Sequence, residues 1–275
     1  MRAILLICLL ALSQIISADE YQQVAPENLV KMELDSGLVL IQLAPDIAPK
    51  HVAQFKSLLK EGKYDGKSFY RVIEGFVAQG GLENDKDVAS LPIEAEFPYV
   101  PEDFTKVQEA DLFAPVTGFM EGFAAAADPD KQQAWLTHCP GTIAMARGTD
   151  ANSATSDFYI VIGQAPRYLD RIMTVFGRVV FGFDKVQQIK RGKSSANGII
   201  QDKEKRTHIK QMTLVTDLDK TLQPKVEVLK TAGEAFATRI ASRKHRSHAF
   251  FFKTPPAVLD VCQIPLPVKV NGQLN

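Results

Sequence analysis

The feature of the sequence that most limits the possible folds is a series of short strand-like segments with few helical segments between them. Residues 29–45 alternate apolar and polar side chains on both sides of Asp35-Ser36-Gly37, which predicts two strands joined by a hairpin turn. Further strand-like segments are KSFYRVIEGFVAQGG, GTIAMARG, SDFYIVIG, TVFGRVVFG and HIKQMTLVTD. Many short strands with few helices predict a mainly β fold, either a closed antiparallel barrel or a sandwich.

Two segments have helical spacing instead. The first follows Pro49, a residue typical of a helix start, and precedes Gly62, a typical helix stop. Its apolar residues recur at helical intervals, namely Val52, Phe55, Leu58 and Leu59. The second predicted helix is short and covers residues 183–189.

Residues 82–137 interrupt the strand pattern with acidic residues, prolines and the segment GFMEGFAAAADPD. No sustained period of either kind runs through them. We interpret them as a long insertion that holds at most short helices. Loops of this length are usually functional lids or poorly ordered.

The character of the chain changes again after Asp219, which separates a main domain at residues 28–217 from an extension at residues 218–275 packed on it. The segment PKVEVLKTAGEAFATRIASRKHR predicts a helix whose apolar face is formed by Leu229, Ala232, Phe236 and Ile240. Basic residues at the carboxy end of this segment suit the helix dipole. The apolar, proline-rich tail that follows predicts an edge strand.

The amino terminus has the pattern of a secretory signal peptide at residues 1–18, with Arg2, an apolar run over residues 3–12 and a predicted cleavage site after Ala18. The alternative is an uncleaved membrane anchor, but the apolar run is shorter than the roughly 20 residues that span a bilayer. We therefore expect an exported protein with no membrane partner after cleavage.

The charge balance and the cysteine and histidine positions narrow the possible partners. Lys+Arg and Asp+Glu both total 32, so there is no electrostatic reason to expect a nucleic-acid partner. Cys139 and Cys262 remain after signal cleavage, either as a disulfide or as two free buried thiols. The histidines form no cluster with the spacing of metal ligands, and the pair His138-Cys139 alone is a weak signal, so we expect no metal site.

The segment SFYRVIEGFVAQGG places a charged residue, Arg71, among aromatic and β-branched residues. Period-two counting puts Phe69 and Arg71 on one face of the predicted strand. If the glycines bend the following chain, Phe76 and Gln79 converge beside Arg71. A planar guanidinium next to aromatic rings can bind carbonyl oxygens while the rings hold an apolar ring.

The alternative for Arg71 is an ion pair in solvent. Glu74 and Asp157 are the carboxylates that the pattern offers it. The segment by itself therefore leaves two interpretations of Arg71, a binding site and a solvated strand end.

SFYRVIEGFVAQGG resembles the signature of the cyclophilin family of peptidyl-prolyl isomerases, in which Phe-x-Arg-Val-Ile is followed by Phe, Gln and Gly-Gly at this spacing. GTIAMARGTDANSATSDFYIVIG and YLDRIMTVFGRVVFG resemble two further blocks of the family, in the family's order. The resemblance covers roughly residues 29–217 apart from the insertion. The insertion, the segment HCPG and the tail VLDVCQIPLPV resemble a divergent, exported bacterial branch, which favours a periplasmic location and the Cys139–Cys262 disulfide.

The resemblance implies an eight-stranded antiparallel barrel capped by two helices, and it implies an activity, rotation about X-Pro bonds in unfolded or folding exported proteins. The uncatalysed rotation is slow because the planar peptide bond resists twisting by about 18–20 kcal/mol. Catalysis requires an interaction that is stronger for the twisted amide than for either planar isomer. It requires no nucleophile and no cofactor.

The family's functional residues map onto this chain position by position. Arg71 matches the catalytic arginine and Gln79 the glutamine that positions the peptide, while backbone groups of Ala146 and Arg147 match those that hold the residue before proline. The full set of implied substrate-binding residues is Phe76, Val77, Gln79, Ala146, Arg147, Asp157, Tyr159, Tyr168, Leu169 and Met173.

Four of these residues depart from the family's common pattern. Asp157 replaces a common glutamine, and its carboxylate is expected near Arg71, where it either orients or neutralises the guanidinium. Tyr159 stands at the place of a pocket phenylalanine, so its hydroxyl needs a partner or stays in water. Tyr168 stands where tryptophan is common, and Met173 where histidine is common. The leading hypothesis is a peptidyl-prolyl isomerase, and the alternative is a proline-peptide binding module or chaperone with little or no catalysis.

Overall fold

The computed structural model describes residues 20–83 and 85–274, so the predicted signal peptide at residues 1–18 lies outside them. In chain order the strands are β1 (Tyr21–Gln23), β2 (Leu29–Leu34), β3 (Gly37–Leu43), β4 (Ser68–Val72), β5 (Val77–Gly81), β6 (Phe97–Pro98), β7 (Thr105–Glu109), β8 (Val116–Met120), β9 (Phe123–Asp128), β10 (Gln133–Leu136), β11 (Thr142–Met145), β12 (Phe158–Val161), β13 (Val175–Phe181), β14 (Thr207–Leu214), β15 (Val226–Leu229), β16 (Val268–Val270) and β17 (Gln273–Leu274). The α-helices are α1 (Pro49–Lys60), α2 (Phe183–Val186) and α3 (Glu234–Lys244). No helix in the described ranges is long and apolar enough to cross a bilayer.

Eight strands form a closed antiparallel barrel, which confirms the predicted fold class. Their order around the barrel is β11, β12, β5, β4, β14, β2, β3 and β13. The predicted hairpin at residues 29–45 consists of β2 and β3, paired from Leu29 with Gln42 to Leu34 with Gly37. Apolar side chains fill the barrel interior and include a group of contacting aromatic rings, Phe55, Tyr64, Phe69, Phe158 and Phe176.

Helix α1 packs the predicted apolar face against this interior. Val52, Phe55, Leu58 and Leu59 are all buried there. The chain leaves the helix at Gly62, whose φ of 66° lies in the left-handed region that favours glycine. The second predicted helix is present as α2, which starts at Phe183 and is shorter than predicted.

The insertion at residues 82–137 is a five-stranded antiparallel sheet in the order β6, β10, β9, β8, β7, so the prediction of at most short helices is wrong. Its longest strand, β9, has the sequence FAAAAD, and the low β propensity of alanine hides it in the sequence. The sheet covers part of the outer barrel surface, where Phe104 and Phe123 join the same apolar cluster as Val77 and Val175. Tertiary packing, not a local pattern, therefore accounts for this sheet.

The extension at residues 218–275 combines with β1 into a third sheet in the order β1, β15, β16, β17. The predicted helical face beginning at Leu229 is wrong in its first part, because Leu229 ends strand β15 and helix α3 starts at Glu234. The alternation in VEVL is typical of a half-buried strand. Phe236 does lie on the buried side of α3. The tail strand β16 pairs with a neighbour on each side, so the predicted edge strand is also wrong and β17 occupies the edge.

A disulfide joins Cys139 to Cys262 across a sequence separation of 123 residues. It ties the tail to the segment that leads into β11. The interpretation as two free thiols is therefore wrong. Cross-linking residues this far apart restricts the unfolded chain strongly and stabilises a folded protein by about 2–4 kcal/mol.

A buried histidine connects the insertion to helix α1. The Nδ1 atom of His51 lies 2.8 Å from the carboxylate of Glu94, which also accepts hydrogen bonds from the backbone N–H groups of Lys50 and His51. Glu94 thus caps the first turn of α1, which has no side-chain cap of its own at Ala48. Burial lowers the pKa of His51, and the hydrogen bond to Glu94 opposes that effect only in part.

This shift predicts a loss of stability in mild acid. The pKa of His51 is lower in the folded than in the unfolded state. Its contribution to the free energy of unfolding is therefore complete above about pH 6.5 and declines as the pH falls through the folded pKa. We expect the free energy of unfolding, measured by urea denaturation, to fall less between about pH 7.5 and pH 5.5 in His51→Asn than in the wild type. His245→Asn, at an exposed position, is the control. An unchanged pH dependence in His51→Asn contradicts this assignment.

Candidate active site

A β-bulge between β4 and β5 sets the direction of the Arg71 side chain. The register shifts between Phe69 and Arg71, so that Phe69 pairs with Gly80 and Arg71 with Gln79. Phe69 and Val72 are both fully buried in the barrel interior, whereas Arg71 is half-buried. The prediction that Phe69 and Arg71 share a face is therefore wrong, because the extra residue of the bulge breaks the period-two count and turns Arg71 away from the core.

Arg71 ends a row of side chains that crosses four neighbouring barrel strands. Cross-strand pairs join Ala144 to Tyr159, Tyr159 to Gln79, and Gln79 to Arg71. Residues directly opposite each other in an antiparallel pair project from the same face of the sheet. A guanidinium, an amide and a phenol ring therefore lie in sequence on the outer surface of the barrel.

Two hydrogen bonds hold this arrangement. The Nη1 atom of Arg71 donates to Oε1 of Gln79 at 3.0 Å, and Nε2 of Gln79 donates to the hydroxyl of Tyr70 at 2.8 Å. Arg71 forms no ion pair with any residue in the described part of the chain. Glu74 pairs with Arg191 instead, with an oxygen–nitrogen distance of 2.9 Å. The interpretation of Arg71 as a strand end paired with Glu74 or Asp157 is therefore wrong.

Asp157 forms no ion pair with Arg71 and influences it only through Tyr70 and Gln79. Its carboxylate accepts a hydrogen bond of 2.9 Å from the backbone N–H of Glu83. Burial, and then the charge of Asp157, raises the pKa of Tyr70, so the carboxylate acts on the phenol that anchors Gln79. Gly81 makes room for this carboxylate, since a Cβ at that position would lie 2.7 Å from Oδ1 of Asp157. Asp157 neither pairs with nor neutralises the guanidinium directly.

Tyr70 is a site residue that the sequence does not single out. Its hydroxyl accepts a hydrogen bond from the Gln79 amide, and the centroid of its ring lies 6.0 Å from the guanidinium carbon of Arg206. Arg206 is itself fixed by bonds to the carbonyl oxygen of Ile200 and to Glu83. The contacts of Arg206 with Tyr70 and Glu83 join segments far apart in the chain, so no local pattern predicts them.

An apolar surface lies along the same face. Val77 and Tyr159 are buried in one cluster, against which Phe76, Ala146, Leu169 and Met173 pack half-buried. The exposed ring of Tyr168 stacks on Phe76 with centroids 6.4 Å apart. Two cavities open elsewhere on the protein, and neither is lined by Arg71 or Phe76.

A buried hydrogen-bond network holds the hydroxyl of Tyr159 in place. Its hydroxyl lies 2.9 Å from Nε2 of His138, and Nδ1 of His138 lies 2.9 Å from Asp170. The two ring nitrogens of His138 therefore link the Tyr159 hydroxyl to the Asp170 carboxylate. Arg167 completes the network by bonding both Asp170 and Asp111 of the insertion. The hydroxyl thus has its partner, and burial raises the pKa of Tyr159.

The segment after β11 offers free backbone groups beside the apolar surface. The N–H of Ala146 is already used, since it donates to the carbonyl of Asp157 at 2.8 Å. The N–H and C=O of Arg147 enter no hydrogen bond among residues 20–83 and 85–274. The side chain of Arg147 is turned aside by bonds to the carbonyls of Ile172 and Gly148. Its peptide groups are therefore available to a bound polypeptide.

Comparison with known proteins agrees with this geometry. The family model for cyclophilin type peptidyl-prolyl cis-trans isomerase/CLD matches residues 29–214. The chain belongs to the cyclophilin family. A probable peptidyl-prolyl cis-trans isomerase from Brucella suis is 36% identical over 187 residues, which span 66% of this chain and 80% of the relative. Peptidyl-prolyl cis-trans isomerase B of Bacillus subtilis is 29% identical over 159 residues, 58% of this chain and 87% of that protein.

A solved cyclophilin structure resembles most of the chain. Cyclophilin AquaCyp293 from Hirschia baltica superposes with a TM-score of 0.74 and 30% sequence identity. The match covers 91% of this chain and 93% of that one. It extends well beyond the cyclophilin family segment at residues 29–214. The likeness therefore also includes parts of the molecule outside the barrel.

The Tyr70 contact predicts an effect on activity from a residue that touches no catalytic atom. We expect Tyr70→Phe to lower kcat/KM for X-Pro isomerisation by about fivefold, because a lost hydrogen bond of about 1 kcal/mol frees the Gln79 amide that holds Arg71. Tyr21→Phe removes a tyrosine hydroxyl from strand β1, outside the barrel, and serves as the control. The measurement is a protease-free isomerase assay, and equal rates for Tyr70→Phe and the wild type contradict the positioning role.

Proposed function

We propose that this protein accelerates cis–trans isomerisation of X-Pro bonds in exported polypeptides, with Arg71 as the catalytic residue. The observation that carries the proposal is a half-buried guanidinium with no carboxylate partner in the described ranges, held by Gln79 at 3.0 Å beside an apolar surface. A charged group kept in place without a counter-ion is available to a ligand. Family membership supports the same activity.

The remaining donors of Arg71 fit the chemistry of a twisted amide. Its Nη1 atom is engaged by Gln79, while Nε and Nη2 have no partner among the described residues. When the X-Pro bond twists, the prolyl nitrogen loses conjugation and gains a lone pair that an N–H group of Arg71 can bond. Since planar isomers lack this lone pair, the interaction favours the transition state and lowers the barrier.

The neighbouring groups position the substrate. An apolar face suited to a proline ring is formed by the half-buried side chains of Phe76, Leu169 and Met173, which pack around buried Val77. The free peptide groups at Arg147 suit the residue before proline, because an extended polypeptide offers the complementary carbonyl and N–H. Fixing both ends of the rotating bond relative to Arg71 reduces the entropy cost of the twisted state.

The binding-module alternative loses its main support. It depends on Asp157 neutralising Arg71, on Tyr168 in the place of the family's common tryptophan, and on the insertion covering the groove. Asp157 lies against the backbone of Glu83 and does not pair with Arg71. The insertion packs on the same apolar cluster but leaves Phe76 half-buried, and Tyr168 is 65% exposed. Catalysis is therefore the better supported function.

The catalytic assignment predicts a large effect of one substitution. We expect Arg71→Ala to reduce acceleration of proline-limited refolding by about a hundredfold, the usual cost of removing one preorganised donor from a transition state. Arg246→Ala, at an exposed position in the extension, is the matched control. If Arg71→Ala accelerates refolding as well as the wild type, Arg71 is not the catalyst.

The exported location is a second part of the proposal and rests on the signal-like pattern of residues 1–18. We expect the protein made in a bacterial host to be recovered from the periplasm with Asp19 as its first residue. Ala18→Arg removes the small residue required at the cleavage site and should leave the chain uncut. Intact-mass measurement of the fractionated protein checks both. A full-length cytoplasmic wild type contradicts export.

A further inference from the structure

A cavity of about 430 Å³ opens between the barrel, the insertion and the tail, away from Arg71. Its walls come from β13, from the β8–β9 hairpin and from the tail around Val261 and Leu266. None of the residues implied in proline binding lines it. The volume lies within the range of about 300–1,000 Å³ that small-molecule sites occupy.

Among the residues that the structure describes, Arg178 is the only charged one that lines this cavity. Its Nε and Nη2 atoms both donate to one oxygen of Gln42, at 3.1 and 3.0 Å. Its guanidinium carbon lies 5.4 Å from the ring centroid of Phe123. Arg178 forms no ion pair in residues 20–83 and 85–274. Burial lowers its pKa to about 10, so the side chain is still cationic at neutral pH.

The geometry of Arg178 leaves one edge of the guanidinium open. Gln42 occupies the edge formed by Nε and Nη2, whereas Nη1 has no partner among the described residues. The edge formed by Nη1 and Nη2 can still bind the two oxygens of a carboxylate. The β8–β9 turn approaches Arg178 at Gly122, where a Cβ would lie 3.5 Å from Nη2. Glycine at this position therefore adds no side chain beside that edge of the guanidinium.

We propose that this cavity binds an amphipathic monocarboxylate of the medium-chain fatty-acid type, with its carboxylate on Arg178 and its chain along the apolar wall. That wall includes Phe119, Phe123, Ile264 and Leu266. A half-buried cation without a counter-ion favours an anion, and a lining with no other charged group among the described residues favours a single negative charge.

The polar groups of the wall exclude a phosphate head group. The hydroxyls of Thr137 and Thr142 already donate to backbone carbonyls, at 3.0 Å in each case. A phosphate brings three oxygens and up to two charges, which one arginine edge cannot satisfy. A carboxylate needs two donors and one positive charge, both of which Arg178 supplies.

The test is isothermal titration calorimetry of the mature chain with decanoate and, as an uncharged probe of equal length, decanol. We expect saturable binding of one decanoate, about tenfold or more tighter than decanol, because a charged hydrogen-bond pair contributes at least that factor. Arg178→Gln should remove the preference for decanoate while retaining the hydrogen bond to Gln42. Arg246→Gln, an exposed change of the same charge, should leave both affinities unaltered.

A second variant separates the site from effects on folding. Ala124→Phe adds bulk to the cavity wall without changing a charge, and it should weaken decanoate and decanol alike. Circular dichroism and thermal unfolding show that each variant is folded. The proposal is overturned if decanoate binds no more tightly than decanol, or if folded Arg178→Gln keeps the wild-type preference.

Discussion

The hydrogen bond from Arg71 to Gln79 is the interaction on which the active surface depends. It exists because a bulge adds one residue to β4, which leaves Phe69 and Val72 in the core and turns Arg71 outward. Without the extra residue, the period-two alternation would place the arginine on the other face of the sheet, the face that Phe69 occupies. The closed barrel makes this geometry rigid, since every strand around the site is paired on both sides.

Support for this surface comes from parts of the chain far from it. On one side, Tyr70 receives the Gln79 amide and is itself under the influence of Asp157. On the other side, His138 and Asp170 hold the hydroxyl of Tyr159. The disulfide at Cys139 lies next to His138 in the chain and ties the tail to this segment. Asp157 and Tyr159, which replace common residues of the family, thus have hydrogen-bond partners of their own and leave the guanidinium of Arg71 without an ion pair among the described residues.

Local patterns predict the β2–β3 hairpin, helix α1 and a mainly β fold, because alternation and helical spacing are read within a few residues. The choice of a closed barrel over a sandwich came from the family resemblance. The insertion was not predictable in this way. Its strands are short, β9 is rich in alanine, and the sheet packs on the barrel around Phe123. The bulge before Arg71 and the roles of Tyr70 and His138 were equally hidden, since period-two counting gives neither a shift in strand register nor the hydrogen-bond partner of a side chain.

Whether Arg71 contacts the peptide whose X-Pro bond rotates is tested most directly by NMR on protein with labelled arginine side chains, titrated with a short peptide that contains Ala-Pro. We expect the guanidinium resonance of Arg71 to shift saturably, with exchange cross-peaks between the cis and trans signals of the same peptide. Cross-peaks from a bound peptide that leaves the Arg71 resonance unmoved would contradict it, as would a shifted Arg71 resonance without any cis–trans exchange.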